Sequence, residues 1–355
     1  MSGVDQRVRV VRIVAGMILV LILVRPVDAR GAGPHAWLAD SAVRGDTTGP
    51  TAVRMLCLGD VNLGRHVGQV LLQGDTAFPW YYLRDSLSGY DIVFANLESN
   101  LSDQHGKTED PRSNTIFTGP PVGANSLREG GVTLVSTANN HALDFGVDAQ
   151  RQTCALLDAA GIAHAGSADD SVSVYTPALL RVHGFRVALF ACTELMNGAR
   201  DRSWGRVVAT ADSGALFPLI RRIRDSVDVI VVSIHGGVEY ASAPAPGLLR
   251  FAEGAVDAGA DVVLGHHPHV PYAVFKWHGG IIAPSLGNCV FKQPFHYWTQ
   301  RSFALSLLFE RSEGGQVKTS FRCEPLRADY QPRFLPPGAD YDAVMKRVSP
   351  NPSNE

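Results

Sequence analysis

The sequence predicts an α/β protein, and three observations carry that expectation. Short β-rich apolar runs recur along most of the 355 residues. Amphipathic helical patterns separate several of these runs, as in βαβ units around a buried sheet. Polar residues follow the runs immediately, where the carboxyl ends of strands form the crevice of an α/β sheet.

At the N-terminus, Arg7, Arg9 and Arg12 precede the apolar run "IVAGMILVLILV" (13–24), and "VDA" follows. That layout predicts an export signal over residues 1–29, cleaved after Ala29 or retained as an anchor. Twelve strictly apolar residues fall short of the roughly 20 of a full membrane span. The expected location is outside the cytoplasm, periplasmic or extracellular, with anchorage to the inner membrane as the alternative. Residues 30–51, rich in Gly, Ala and polar residues, read as a linker. A main domain is expected over 52–330.

Within it, strands are predicted at 53–58, 91–95, 132–136, 186–192, 228–234, 261–265 and 280–285. Between them, Leu216, Leu219, Ile220 and Ile223 share one helical face. Leu248, Phe251, Ala252 and Ala255 do the same before Gly259, and the helix from Val147 ends at Gly161, both glycines suited to closing a helix. The runs 303–309 and 316–323 have only "ERSEGG" between them, which predicts a hairpin and a partly antiparallel sheet. Residues 331–355, with "QPRFLPPG" and "SPNPSNE", read as an extended tail.

The composition is that of an ordinary globular protein, with 45% hydrophobic and 19% charged residues and a net charge of −2. Nothing in it suggests a nucleic-acid partner. The five cysteines (Cys57, Cys154, Cys192, Cys289 and Cys323) are scattered without a CxxC pair. They read most simply as buried small hydrophobes.

The residues after the strands carry the chemistry. Asp60 follows the first run, Asn96 and Glu98 the second, and Asn139, Asn140, His141 and Asp144 the third. His235 and Glu239 follow the run at 228–234, and "GHHPH" supplies His266, His267 and His269. Carboxylates, amide oxygens and imidazoles without thiolate suit Mn, Fe or Zn. A carboxylate can also bridge two such ions. Alone, Asp60 would equally cap a turn and His141 would equally serve the structure. Together the rim reads as a metal or anion site, sharpest at the proline-fixed pair His267 and His269.

Six motifs in order, "GDVNLGR", "DIVFANLES", "STANNHALDFG", "VVSIHGGVEY", "GADVVLGHHPHVP" and "SLGNCVF", closely resemble the CapA family over residues 53–292. These are capsule-synthesis proteins associated with bacterial poly-γ-glutamate, similar in turn to calcineurin-like metallophosphoesterases. The resemblance implies two packed mixed β-sheets flanked by helices. It implies a divalent metal centre, two ions of Mn, Fe or Zn, held by Asp60, Glu98, Asn140, His235, His267 and His269. Glu98 would bridge the ions. His141, oriented by Asp144, would act as acid or charge stabiliser. Asn62, Arg65, Asn139, Glu239, His266 and Asn288 are the candidates for contacting substrate. The implied substrate of the metal-dependent hydrolase or transferase site is an anionic surface polymer or a phosphoester, with membrane synthase subunits as partners; a non-catalytic polymer-binding or scaffold role is one alternative, and a secreted metallophosphodiesterase is a further one.

The chain departs from these patterns at particular positions. Asn62 stands where dimetal phosphoesterases commonly carry histidine. Glu98 replaces an aspartate. Pro284, Cys289 and Lys292 stand where the CapA pattern has Tyr, Phe and Asp.

Overall fold

The computed structural model describes residues 52–198 and 203–349, all within one compact unit. The expected signal or anchor and the linker lie outside these residues.

Alternation along the first strand, Ala52–Val61, sets the architecture. Val53, Met55 and Cys57 point to one face and Leu56 and Leu58 to the other, the period of two that a strand imposes. Both faces are apolar, so the sheet must be covered on both sides. A seven-stranded sheet forms in the order Arg333–Phe334, Val317–Arg327, Arg301–Arg311, Ala52–Val61, Ile92–Leu97, Leu134–Ser136, Ala163–Ala165. Its last four strands run parallel, and the others join antiparallel.

A six-stranded sheet packs against it, in the order Phe275–Trp277, Gly280–Ala283, Val262–His266, Val229–His235, Phe185–Thr193, Ala178–Val182. Its four central strands are parallel and its edges antiparallel. Met55, Phe94 and Leu134 of one sheet share a buried cluster with Leu189, Val231 and Leu264 of the other.

Helices cover the outer faces. Arg65–Leu72, Gly123–Glu129 and Gly146–Ala160 lie on the larger sheet through residues such as Val67, Leu127 and Leu157. Ser213–Ile223 and Pro246–Asp257 lie on the smaller through Leu216, Ile220, Leu248 and Ala252. The chain is therefore an α/β protein of two packed mixed sheets between helical layers. Among the described residues no helix is long and apolar enough to cross a membrane.

Two glycines fix the rim where the sheets meet. A Cβ on Gly59 would lie 1.8 Å from the Gly287 carbonyl oxygen, and one on Gly265 would lie 1.9 Å from that of Pro284. Only a residue without a side chain lets the backbone come so close. The 284–289 loop thereby reaches a strand of each sheet, with Asp60 N donating to Gly287 O and Leu286 N to Gly265 O.

The C-terminal reading needs correction. Rather than an extended tail, the chain adds the short strand Arg333–Phe334 and then the helix Ala339–Val348. Pro336, Pro337 and Gly338 mask it in sequence, yet Val344 and Val348 are buried four residues apart. Asp340 and Asp342 in its first turn and Lys346 and Arg347 in its last complement the helix dipole. The alternation of strands and helices also gave no sign of a small sheet formed by Asn100–Leu101, Glu109–Asp110 and Ser113–Gly119.

Candidate metal centre

Parallel strands in both sheets end at one rim, so the residues at their carboxyl ends converge. Asp60 is the penultimate residue of Ala52–Val61, and His235 and His266 are the last residues of their strands. Glu98 follows Ile92–Leu97 directly, and residues 139–141 follow Leu134–Ser136.

Asp60 and Glu98 are both fully buried. Asp60 Oδ1 accepts from Asn96 Nδ2 at 2.9 Å and lies 3.2 Å from His266 Nδ1; its Oδ2 lies 3.3 Å from His269 Nδ1. Glu98 Oε1 lies 3.9 Å from Nε2 of each of His141, His235 and His269. That is too far for a hydrogen bond. Both Glu98 oxygens, Asp60 Oδ2, both His266 nitrogens and His267 Nδ1 are buried without a hydrogen-bond partner. Unpaired buried carboxylate oxygens cost several kcal/mol unless something compensates them. Asp60, Glu98 and His235 each present a donor atom within 4.8 Å of the others. The donor set and its unmet polar atoms fit a divalent metal ion.

The electrostatics agree with that fit. Burial would raise Asp60, but His266 and His269 outweigh it and hold the carboxyl well below the usual range. Burial, and then the charge of Asp60, push Glu98 well above its ordinary value. Burial, reinforced by His267, pushes His235 well below the usual imidazole value. Burial and then His269 bring His267 down to about 3. A neutral imidazole is the form that ligates a metal.

Backbone strain marks the same place. His267 has φ +95° and His269 φ +58°, in the left-handed region that side chains disfavour. Such residues cost about 1–3 kcal/mol each and persist where the surroundings hold them. The turn aims both rings inward, with centroids 6.0 Å apart and His267 5.0 Å from His235.

Beside this cluster, His141 Nδ1 lies 2.7 Å from Asp144 Oδ2, which also accepts from Phe117 N at 3.0 Å. With a carboxylate there, Nδ1 carries the proton and Nε2 faces Glu98. Phe117 stacks on the His141 ring at 4.1 Å, and the Arg65 guanidinium lies 4.4 Å from the Phe117 ring centre. Arg65 is half-buried and donates to the Asn114 carbonyl, while its Nε is buried without a partner. Burial lowers its pKa against the opposing pull of Glu109 and Glu98. Asn140 Oδ1 lies 2.7 Å from His235 Nε2, which places it in the same cluster.

Four of the substrate-contact candidates are placed otherwise. Asn139 is fully buried, donating to Leu97 O at 2.8 Å and accepting from His141 N at 3.1 Å, so it shapes the loop. Asn288 is buried and sits 2.9 Å from His269 Nδ1, its amide donating to Gln293 and Thr299 O, so it orients a histidine. Asn62 accepts from Gly64 N at 2.7 Å and closes a turn. His266 is fully buried against Asp60, within the metal-type cluster. Glu239 is exposed at the rim.

The sequence places Asn96 at the rim without a role, and Asn197 escapes it. Asn96 holds Asp60 and, at 3.2 Å, His235 Nδ1. Asn197 donates toward His141 Nε2 at 3.4 Å and accepts from Asn140 at 3.1 Å. The signal for Asn197 was "TELMN" after the strand Phe185–Thr193, a sixth strand end at the rim. Lys292 pairs with Asp329 at 3.3 Å and lies 4.9 Å from the Tyr330 ring, so its reversed charge is locally balanced. All five cysteines are free.

A family model described as "Bacterial capsule synthesis protein PGA_cap" matches residues 54–293. The chain is similar to "Capsule biosynthesis protein CapA" of Bacillus anthracis, at 28% identity over 74% of this chain and 64% of that protein. It is also similar to "PGA biosynthesis protein CapA" of Bacillus subtilis (strain 168), at 29% identity over 68% of this chain and 63% of that protein. The chain thus spans less than two thirds of the length of these two relatives. The solved structure of TT1561 of Thermus thermophilus aligns with a TM-score of 0.42 and 8% identity, over 76% of this chain and 99% of that one.

Proposed function

The chain belongs to the PGA_cap family of bacterial capsule synthesis proteins, and on that premise we propose that its buried rim is a metal-dependent hydrolytic or transfer site. One observation carries this reading. Glu98 Oε1 has no hydrogen bond and lies 3.9 Å from three imidazole Nε2 atoms. A rim that only recognised carboxylates would present donors to its ligand; this one presents two buried acids.

Asp60, Glu98, Asn140, His235, His267 and His269, with His266 beside Asp60, would hold one or two divalent ions. When bound, such an ion supplies Lewis acidity and lowers the pKa of water. Asp144 accepts from Nδ1 and holds the His141 ring with Nε2 toward the cluster, so a second proton, carried on Nε2, is the one given to a leaving group or hydrogen-bonded to developing charge. Arg65, packed beside Phe117, supplies a guanidinium to an anionic substrate. Those features support an anionic surface polymer or a phosphoester as substrate. Export and association with membrane synthase subunits belong to the same proposal and rest on the charged-then-apolar N-terminus and the family.

The test offers the Mn- or Zn-loaded chain poly-γ-glutamate and an aryl phosphodiester. Turnover of either that falls about 100-fold or more in His141→Ala, with metal content unchanged, is expected of a general acid. Binding of the polymer without turnover of either substrate would replace catalysis with the scaffold role.

A further inference from the structure

A second cluster of reactive side chains lies on the helix Gly146–Ala160 and the strand Ala163–Ala165 that follows it. It lines a cavity of about 410 Å³ whose wall includes Cys154, Asp158, His164, Gln150 and Ser167. None of these residues belongs to the metal-type rim.

The groups form a chain. His164 Nε2 lies 3.2 Å from Asp158 Oδ1, which fixes the ring and places a proton on Nε2. Nδ1 is then the free acceptor, and it is buried without a hydrogen-bond partner. The Cys154 thiol lines the same cavity wall as this imidazole, and it lies 3.4 Å from Ser167 Oγ and 3.7 Å from Gln150 Nε2. A base oriented by a carboxylate beside a thiol is the arrangement that activates a nucleophile. Serine hydroxyl and glutamine amide both donate to a thiolate.

The other cysteines set the contrast. Cys57, Cys192 and Cys289 are fully buried, and burial is the main cause that pushes each of them up; burial brings Cys323 to about 12. Burial raises Cys154 too, but His164, Ser167 and Gln150 outweigh it and draw the thiol down. Burial lowers His164, and Cys154 and Asp158 outweigh it upward. Cys154 alone is also half-buried at an open cavity.

We propose that Cys154, His164 and Asp158 form a reactive-thiol site whose cavity admits a low-molecular-weight disulfide. The thiol proton passes to His164 Nδ1. The Cys154 thiolate attacks one sulfur of the disulfide, a new S–S bond forms as the old one breaks, and the departing thiolate takes the proton from His164. Cys154 is oxidised and one half of the disulfide is reduced to a thiol. The rate follows the thiolate fraction, which His164 sets.

The test follows reaction of the folded, full-length chain with 4,4′-dithiodipyridine from pH 5 to 9.5 and maps the modified cysteine. One fast thiol is expected, mapping to Cys154 and absent in Cys154→Ser, with a rate midpoint below that of a free cysteine. His164→Gln moves the midpoint upward and slows reaction at pH 7 roughly tenfold, and Asp158→Asn acts in the same direction. A fast thiol mapping elsewhere, or a wild-type midpoint at or above about 8.5, the free-thiol value, overturns the proposal. The wild-type profile decides even if the histidine variant fails to fold.

Discussion

Asp60 Oδ1 and His266 Nδ1 lie 3.2 Å apart, one at the end of a strand in the seven-stranded sheet and the other at the end of a strand in the six-stranded sheet. This contact places the cluster at the seam of the two sheets, where a strand end from each delivers a side chain to the same buried point.

Asn96 holds both Asp60 and His235 without presenting a ligand atom of its own to the cluster. Removing such a support typically costs about 10- to 100-fold in metal affinity. Asn96→Ala is expected to weaken Mn or Zn binding by that factor in calorimetric titration, with the circular dichroism spectrum unchanged.

Asp144 sets which nitrogen of His141 faces Glu98. Asp144→Asn removes the carboxylate that fixes this orientation, so turnover of an accepted substrate should fall by about 100-fold or more. Metal content should stay at the wild-type level, which separates this effect from loss of the ion.

Gly59 tests the seam between the sheets. A methyl group there meets the Gly287 carbonyl oxygen at 1.8 Å, and that oxygen belongs to backbone that cannot swing aside. Gly59→Ala should cost about 3 kcal/mol or prevent folding, as overpacking does. Thermal unfolding measures it, and an unchanged midpoint would contradict the close approach.

Asp228 gives stability a pH dependence away from the rim. Burial raises its pKa, but Arg186, through its backbone N–H and guanidinium, and then Arg311 outweigh this and lower it. A carboxylate lowered on folding contributes fully above its unfolded value of about 3.9, and the contribution is lost as pH falls through the folded value. Asp228→Asn should therefore lose about 1 kcal/mol at pH 7, a figure reduced for the solvent-exposed share of the pair. The gap to wild type should begin to narrow near about pH 4 and close as pH falls below the lowered folded value, in thermal melts taken across the pH range.

Much of the fold was legible because the parallel strands are buried on both faces and read as continuous apolar runs. The capping signals were equally local: Gly161 closes its helix in the left-handed conformation at φ 70°. The C-terminal helix was hidden by the prolines before it, and the small sheet at 100–119 has too few residues per strand to show a period. At the rim, position after a strand was enough to gather Asp60, Glu98, His235 and the 266–269 turn. It did not distinguish residues facing the cluster from those supporting it. Asn139 and Asn288 looked like contacts because amides bind ligands, yet both are spent on the backbone and on His269. Asn197 was missed because its loop follows a strand whose polar end was passed over.

Metal content decides whether these buried acids and imidazoles hold divalent metal. The folded chain, supplied in turn with Mn, Fe and Zn and then desalted, is compared with Glu98→Gln by elemental analysis. One or two equivalents are expected in the wild type and a clear loss in the variant, which keeps the shape of Glu98 but not its charge. A folded wild type that retains none of the three ions, or a variant that retains as much as the wild type, would contradict this expectation.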